Sequence, residues 1–506
     1  MVGGAGSNAD VSVARRFHDE TKHSEHRICG RAWADPDNKP SPYKTYASPA
    51  SGPAPPSPPE SRCDTLQVLT ARARGTQRRV PDAGALAHLC LYANGLLTPG
   101  TDGAPGRRPA SCTGGLHHVE LYVVCGDLEA LPAGVHHYDV ATHRFRTLRE
   151  GDHRASLWEA TAYEEAVCAA PAVVICTSTV WRNAWRYGDR SLRHVFWDTG
   201  TVLANLTTLA SALDLSARVV LGFVDDAVSH LLGLDPAREP VIALVPIGVG
   251  GREAPLARTR SLRTTPAPAS RAEVVFPACL RMQRASSLRA PDEVRAWRAS
   301  RCPEPLWAHP PWRPAAGRRP QPVEQVIRRR GSARRFAPAP ISAASFGLLA
   351  EVACAPVEVD YGRGPGAGCV ATHAVVHAVE GMSPGTYLVD DATSLVPVRR
   401  GSLRADATAS ALGQRPAGEA AATFCFVSDL STVLERLGNR GYRAAQLTAG
   451  LLAGRLYLAA YALGLGATGL TFYDDQVVRL LGLPEGDAHA MLLLAVGEPR
   501  QGGGSP

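Results

Sequence analysis

The apolar positions of the chain form two recurring kinds of segment. Four segments have apolar residues at helical spacing, namely residues 82–97, 197–214, 342–355 and 446–463. Four others are short continuous apolar runs typical of buried strands, namely residues 119–125, 172–177, 241–248 and 490–497. Strands that lie between long helices predict an α+β fold, in which a mixed sheet is covered by helices.

The two halves of the chain repeat each other. The string RGTQRRV at 74–80 matches RGSARRF at 330–336, and the Asp pair at 225–226 matches the pair at 474–475. These copies stay about 250 residues apart, which indicates a tandem duplication of one domain. The predicted divisions are an N-terminal segment with a Pro-rich linker at 1–61, a first domain at 62–255, a linker with a Pro/Arg-rich stretch at 256–322, a second domain at 323–500 and a tail at 501–506.

The composition argues against several classes of protein. A net charge of +7 with only 6% aromatic residues does not supply the interleaved basic and aromatic residues of a nucleic-acid interface. No run approaches eighteen apolar residues and the first residues are polar, so we expect a cytoplasmic protein without a membrane span. The twelve cysteines show no Cys-x-x-Cys spacing, so neither a metal site nor a disulfide framework is predicted.

One cluster near the N-terminus has the spacing of metal ligands. It consists of His18, His23, His26 and Cys29. No second carboxylate or cysteine pair accompanies it. A polar surface segment is therefore the favoured interpretation, and no metal is predicted.

The Arg-rich turn of the second half is a candidate anion site. Arg330, Ser332 and Arg334 place two guanidinium groups and a hydroxyl before a predicted helix, where free N–H groups and the helix dipole favour a phosphate. A solvated Arg-rich turn is the alternative. The first half carries the same pattern at residues 74–78.

A Gly-rich loop precedes the first predicted strand. Residues 107–120 read RRPASCTGGLHHVE, and small residues such as Ser111, Cys112, Gly114 and Gly115 let a backbone approach a flat ligand closely. An ordinary Gly-rich loop is the alternative. The second copy, at 362–373, keeps glycines but loses the Ser and the Glu.

Tyr187 is a candidate for proton transfer. It follows Arg186 directly, and a neighbouring positive charge favours the ionised phenol. A packed Tyr with an Arg that reaches solvent is the alternative. The corresponding place in the second half is Arg436-Leu437, so the Tyr is absent there.

Together these pieces resemble a known family. FHDETKHS, PYKTY, RRPASCTGGLHHVELYVV, RYGDRSLRHVFWDTG, GFVDDAVSHLLGL, RRRGSARRFAPAPIS and ALGLGATGLTFYDD are similar to the flavin-dependent nitroreductase superfamily, in its streptolysin-S-type (SagB-like) and microcin azoline-dehydrogenase branch. The similarity covers most of residues 11–250 and 325–500.

The resemblance implies an FMN protein in which the two fused domains imitate a homodimer within one chain, which could be a monomer. The implied FMN site joins Arg330, Ser332, Arg334, Gly466, Gly469 and Arg500 of the second half with Ser111, Cys112, Gly114 and Gly115 of the first. Cys112 stands where the family often has Ser. The reciprocal site would pair Arg74, Thr76 and Arg78 with the degraded loop at 362–373, so we expect it to be weak or empty.

The implied activity is the oxidation of thiazoline or oxazoline rings to azoles in a ribosomally made peptide, with a cyclodehydratase as candidate partner. Tyr187 would remove the ring proton, whereas Arg186 stays protonated and can only hold or polarise. A general NAD(P)H-linked reductase of nitro compounds or quinones is one alternative. A degenerate flavin-binding scaffold of a peptide-modifying complex is another.

Overall fold

The structure of the protein, a computed structural model, describes residues 8–25, 34–46, 55, 57–71, 79–100, 106–251, 254, 262, 265–301, 319–390 and 395–500. The helices up to the middle of the chain are α1 Ser12–Thr21, α2 Thr65–Thr70, α3 Ala83–Asn94, α4 Arg154–Ala160, α5 Glu165–Ala169, α6 Val180–Tyr187, α7 Ser191–Ala212, α8 Asp225–Leu232, α9 Pro277–Ala285 and α10 Pro291–Ala299. Those of the second half are α11 Val323–Arg329, α12 Ala343–Cys354, α13 Arg404–Ser410, α14 Pro416–Glu419, α15 Leu430–Leu437, α16 Asn439–Ala462 and α17 Asp474–Leu481.

Each half contains one sheet. The first has the order β3-β2-β1-β4-β5, with β1 Val119–Cys125, β2 Gly134–Asp139, β3 Arg144–Glu150, β4 Ala172–Ser178 and β5 Val241–Ile247. The second has the order β10-β11-β9-β6-β7-β8, with β6 Ala371–Val376, β7 Gly385–Val389, β8 Leu395–Arg400, β9 Ala422–Asp429, β10 Gly466–Leu470 and β11 Ala488–Gly497. The central strands β1 and β4 are buried throughout and pair antiparallel, for example at Val123 and Val174. A parallel bridge between Val219 and Val359 brings the second half to the edge of the first sheet.

The predicted α+β duplication is confirmed, and all four predicted strands and four predicted helices are present. The two long helices, α7 and α16, begin earlier than expected from their apolar spacing. Their first turns are polar but buried, and Arg193 and Arg440 there are fully enclosed. Buried charges imply partners, and those partners lie in the opposite half.

The two long helices cross at the centre of the molecule through glycines. A Cβ added to Gly200 would lie 2.5 Å from the backbone nitrogen of Leu451, and one added to Gly450 would overlap the carbonyl oxygen of Trp197. Only glycine allows backbones to approach this closely. The crossing point relates residue 200 to residue 450, so the halves form a pseudo-dimer within one chain.

Reciprocal ion pairs fasten the two halves to each other. An Asp at the start of α8 or α17 binds two Arg residues at the start of the other half's long helix. The pairs are Asp474–Arg190 at 2.9 Å, Asp474–Arg193 at 2.5 Å, Asp225–Arg440 at 2.6 Å and Asp225–Arg443 at 2.7 Å. All six side chains are buried, so the same interaction occurs twice across the interface.

The duplication extends to the helix that precedes each domain. In α1, the carbonyl of His18 accepts a hydrogen bond from Arg193 Nη2 at 2.6 Å. In α9, the carbonyl of Gln283 accepts the equivalent bond from Arg443 Nη2 at 2.9 Å. The segment 256–322, expected to be a linker, therefore contains two helices, and the first of them is the counterpart of the N-terminal helix.

The expectation of a polar surface segment near the N-terminus is wrong for the residues that can be described. His18 is 1% exposed and His23 is 7% exposed, because α1 packs against the interface between the halves. The His18 ring lies 4.6 Å from the ring of His489. His26 and Cys29 lie outside the described residues.

Candidate active site

The Arg-rich turn of the second half contacts the Gly-rich loop of the first half through one side chain. Arg330 follows α11 and is 8% exposed. Its Nε donates to the carbonyl of Pro109 at 2.9 Å, and its Nη2 donates to the carbonyl of Arg108 at 3.0 Å. These carbonyls lie just before Ser111 and Cys112, so the structure brings two of the predicted cofactor-binding segments together.

The rest of this turn lies at the rim of the site. Ser332 and Arg334 are exposed, as is Arg500 after β11. A Cβ added to Gly466 would lie 3.0 Å from that of Ala333, so the turn packs directly on the start of β10. Arg330 is thus the buried member of the turn, whereas the other two polar side chains remain accessible to a ligand.

A residue that the sequence did not indicate lies between the predicted ones. Tyr457, on α16, accepts a hydrogen bond from the backbone N–H of Gly469 at 2.6 Å. The Ser111 hydroxyl donates to the same phenol oxygen at 3.4 Å, and the Arg330 guanidinium lies 5.8 Å from the ring centre. Tyr457 therefore connects three predicted cofactor residues. In the sequence it is one apolar-face residue of a long helix and looks like core.

The Gly-rich loop is anchored to α7 by Asp198. This carboxylate accepts hydrogen bonds from the backbone N–H of Thr113 at 3.0 Å and from the Thr113 hydroxyl at 2.8 Å. It also contacts His118 Nε2 at 2.9 Å and the Cys112 thiol at 3.1 Å. Burial and the nearby Asp198 charge raise the pKa of Cys112 well above its usual value, so the thiol keeps its proton and donates. Cys112 thus makes the contact that a Ser hydroxyl would make.

Cys112, His118 and Asp198 are also the group of described residues whose ligand atoms, all within 4.8 Å of one another, could hold a metal ion. The oxygens of Asp198 already receive four donors, two of them from Thr113. His118 in addition contacts the Ser178 hydroxyl at 2.9 Å. A carboxylate with this many donors is satisfied without a cation, so we interpret the group as the anchor of the loop.

The two glycines of the loop have different surroundings. Gly114 and Gly115 both have φ +66°, a conformation that favours glycine. A Cβ added to Gly114 would lie 2.6 Å from the Tyr187 hydroxyl, whereas one added to Gly115 would meet nothing within 4 Å. The predicted proton-transfer residue therefore lies directly against the predicted cofactor loop, and open space adjoins the second glycine.

Tyr187 ends helix α6, and its surroundings are polar and aromatic. The Arg186 guanidinium lies 5.7 Å from the centre of the Tyr187 ring. On the other side, the ring of His194 stands edge-on at 4.7 Å. Asn183 contacts His194 Nδ1 at 2.8 Å and donates to the carbonyl of Thr113 at 3.4 Å, which links this cluster to the loop. His194 and Asn183 had no signal in the sequence beyond polarity inside helices.

The N-terminal segment holds this helix from outside. Trp185 Nε1 donates to the carbonyl of Asp35 at 2.8 Å, and Arg182 Nε donates to the carbonyl of Ser41 at 2.8 Å. Arg182 also forms a buried ion pair with Glu120 at 2.5 Å. The position of Tyr187 is therefore fixed by contacts on both sides of α6.

The reciprocal position between the halves is lined by different residues. Residues 358–361 lie along residues 219–222 of the first half, which follow α7 as β10 follows α16. The backbone N–H of Val219 donates to the Glu358 carbonyl at 2.8 Å. The Asp360 carboxylate accepts from the backbone N–H groups of Leu221 at 2.8 Å and Gly222 at 2.9 Å.

Two further differences separate this position from the first. Thr448 occupies the place on α16 that Asp198 has on α7, and its hydroxyl contacts the hydroxyl of fully buried Tyr361 at 2.8 Å. The loop at 362–373 thus lacks the carboxylate anchor. The predicted residues of the reciprocal clamp, Arg74, Thr76 and Arg78, lie outside the described residues.

Comparisons with known proteins agree with this architecture. The profile of the Nitroreductase family matches residues 80–249 and again residues 327–498. The chain belongs to the Nitroreductase family, and it carries the domain of these flavin-binding oxidoreductases twice.

The chain is similar to two named proteins and to one solved structure, among others. The putative nitroreductase MJ1384 of Methanocaldococcus jannaschii is 26% identical over 163 residues, which is 32% of this chain and 78% of that protein. The trifolitoxin-processing protein TfxB of Rhizobium leguminosarum bv. trifolii is 30% identical over 142 residues, which is 27% of this chain and 38% of that one. A crystal structure of a putative nitroreductase from Anabaena variabilis has a TM-score of 0.74 at 24% identity, covering 96% of this chain and 99% of that chain.

The fold of both halves together therefore occurs in another single chain. Within the ranges that the structure describes, no helix combines the length and the apolar character needed to cross a membrane.

Proposed function

We propose that the chain is an FMN-dependent dehydrogenase that oxidises thiazoline or oxazoline rings of a ribosomally made peptide to azoles. The observation that carries this proposal is the placement of Tyr187 against Gly114. The Tyr187 phenol, which we assign to proton transfer, lies beside the loop that Arg330 of the second half contacts.

The residues present fit a flavin in three ways. Gly115 and Gly469 leave their surroundings open, since added Cβ atoms would meet nothing closer than 3.7 Å. Ser332 and Arg334 offer a hydroxyl and a charge at the rim for a phosphate. His117 Nδ1, after the loop, is buried and has no partner in the described ranges, so a polar ligand atom would satisfy it.

The residues of the site then divide the work of holding the cofactor. Ser332 and Arg334 bind the phosphate, Arg330 holds the turn against the loop, and the loop anchored by Asp198 supports the ring system. Bound FMN would supply the two-electron redox chemistry by accepting a hydride. Tyr187 takes the proton that the azoline ring loses, and the positive charge of Arg186 favours the phenolate that can accept it.

A peptide substrate is supported by the similarity to a protein whose name records a role in trifolitoxin processing. A cyclodehydratase that forms the azoline ring is the partner that this reaction requires. The ring enters with two more hydrogen atoms than it leaves with, one lost as a hydride and one as a proton.

The test is direct. The purified full-length chain is expected to be yellow, to release FMN on denaturation, and to lower the mass of an azoline peptide by two hydrogen atoms per ring. A flavin-loaded protein that leaves the peptide mass unchanged would contradict the proposed reaction.

A second candidate is a general NAD(P)H-linked reductase of nitro compounds or quinones, favoured by the similarity to MJ1384, which is named a putative nitroreductase. Stopped-flow mixing with NAD(P)H separates the two, because a reductase must bleach its flavin rapidly. Colourless protein that still binds a peptide-modifying partner would instead support a degenerate scaffold.

A further inference from the structure

A groove runs beside the helix that ends at Tyr187. It is shallow and partly open to solvent. Its walls come from the start of α6, from residues 273–276 and from α9, and they include Trp181, Val274, Val275, Phe276, Cys279 and Gln283.

The groove reaches the end of α6 that carries the candidate base. A Cβ added to Gly188, the residue after Tyr187, would lie 3.5 Å from Phe276 Cε1. The Cys279 thiol donates to the carbonyl of Asp189 at 3.2 Å. Since α6 has eight residues, it is about 12 Å long, which matches three or four residues of an extended peptide.

The groove presents both apolar surface and open backbone. Val274 is 51% exposed and Val275 is 42% exposed, although both are large apolar residues. Among the residues that the structure describes, their backbone N–H and carbonyl groups have no hydrogen-bond partner. The next residue, Phe276, has an extended backbone, and a segment with free backbone groups can pair with a further strand from another chain.

One buried polar group in the wall has no partner either. Gln283 is 7% exposed, and its Nε2 makes no hydrogen bond within the described part of the chain. A buried amide donor without an acceptor is costly, and a carbonyl of a bound ligand would satisfy it. The backbone carbonyl of Gln283 serves Arg443 separately, so the side chain is available for this purpose.

The charge of the groove also restricts the ligand. Arg238 and Glu273, at one end, pair with each other at 2.9 Å. The groove thus offers no uncompensated cation to an anionic ligand such as a nicotinamide dinucleotide. It favours a neutral ligand with apolar side chains and backbone carbonyls.

We propose that this groove binds the stretch of the peptide substrate that flanks the ring being oxidised, in an extended conformation along residues 273–276, with a backbone carbonyl on Gln283 Nε2. This inference rests on the proposed function, because it takes the ligand to be a peptide whose ring is presented near Tyr187. Val274 and Val275 contact its apolar side chains, and the groove leads the ring towards the end of α6.

The experiment uses full-length protein and two synthetic nine-residue peptides with valines on both sides of one central ring, one with thiazoline and one with thiazole. The variants are Val274→Asp and Gln283→Leu, and the matched control is Val396→Asp on β8, where Val396 is 44% exposed. Binding of the fluorescein-labelled thiazole peptide is followed by anisotropy, and oxidation of the thiazoline peptide gives KM and kcat.

We expect Val274→Asp and Gln283→Leu to weaken thiazole-peptide binding and to raise KM at least about tenfold, with kcat within about twofold and FMN content unchanged. The control should behave as wild type. Unchanged binding in both groove variants, or equal weakening in the control, would overturn the inference, as would a wild-type protein that does not bind the peptide.

The failure of this inference differs from the failure of the proposed function. A wild-type protein that binds the thiazole peptide through the groove but never oxidises the thiazoline leaves the groove in place and removes the reaction. A wild-type enzyme that oxidises the thiazoline, with groove variants that bind the peptide as wild type does, supports the reaction and removes the groove. Unchanged peptide binding together with loss of a dimer in sedimentation of Val274→Asp would assign the groove to a second copy of the chain.

Discussion

The two positions between the halves have the same origin and different contents. In one, Asp198 anchors a Gly-rich loop against which Tyr187 lies. In the other, Thr448 replaces the carboxylate, and buried Tyr361 occupies the space beside it. The ion pairs that join the halves are nevertheless preserved in both copies. The two halves therefore share a symmetric interface but differ at the two positions where our proposal places, or does not place, a cofactor.

The largest expected effect concerns the symmetric part. Asp225→Asn and Asp474→Asn each leave two buried Arg residues without their carboxylate, which should cost about 3–5 kcal/mol in the free energy of unfolding. Urea denaturation should give similar losses for the two variants because their surroundings are equivalent. Exposed Asp226→Asn is the control and should lie within about 0.5 kcal/mol of wild type. A large loss in the free energy of unfolding for only one of the two variants would contradict the equivalence of the two ion-pair clusters.

The next effect concerns the difference between Tyr187 and Leu437. Tyr187→Phe removes the phenol oxygen that we propose as the acceptor of the ring proton, so kcat for azoline oxidation should fall about 100-fold or more while FMN content stays the same. Steady-state kinetics and the absorption spectrum measure both quantities. Tyr163→Phe is the control, since Tyr163 is 65% exposed and is not one of the proposed site residues. Activity that survives in Tyr187→Phe would show that another group takes the proton.

The ion pairs also predict how stability depends on pH. Burial alone would raise the pKa of Asp474, but the charges of Arg190 and Arg193 outweigh it and bring the pKa to about 2. The pKa of an Asp in the unfolded chain is about 4. A carboxylate whose pKa is lowered by folding stabilises the fold at pH values above about 4, and this stabilisation is lost as the pH falls towards 2. The stability difference between wild type and Asp474→Asn should be constant above about pH 4 and shrink below it. A difference that shrinks near neutral pH would contradict this account.

The smallest effect tests the loop. Gly114→Ala and Gly115→Ala share the same φ, so both incur about 1 kcal/mol of backbone strain. Only the methyl at position 114 would meet the Tyr187 hydroxyl. We expect kcat to fall about tenfold further in Gly114→Ala than in Gly115→Ala. Equal effects in the two variants would mean that Tyr187 does not rest on Gly114 in the working enzyme.

The sequence predicted the fold better than the site. Apolar runs such as 119–125 became strands with the same bounds, because a buried strand is apolar along its whole length. The polar starts of the long helices were missed, since burial of Arg190 and Arg440 depends on Asp residues far along the chain. The helix α9 was also missed, because it resembles α1 in its backbone contacts and not in its residue types.

For the site, the motifs indicated which segments matter but not how they meet. Glycine spacing and the Arg-Tyr pair identified the loop and Tyr187, and the structure places them in contact. No such signal marked Tyr457, Asp198 or His194. A Tyr, Asp or His inside an apolar helix cannot be distinguished from a core residue until the segment that packs against it is known. The different lining of the reciprocal position depends in the same way on residues 358–361, which pair with residues 219–222 of the other half.

The most direct test of the central claim is the number of FMN molecules bound per chain. The full-length wild-type protein is saturated with FMN, freed of excess cofactor and denatured, and the released flavin is quantified against the protein. The pocket formed by Arg330 and the loop anchored by Asp198 predicts one FMN per chain, because the reciprocal position has Thr448 in place of this carboxylate, with buried Tyr361 beside it. A value of two, or of zero, would contradict the account.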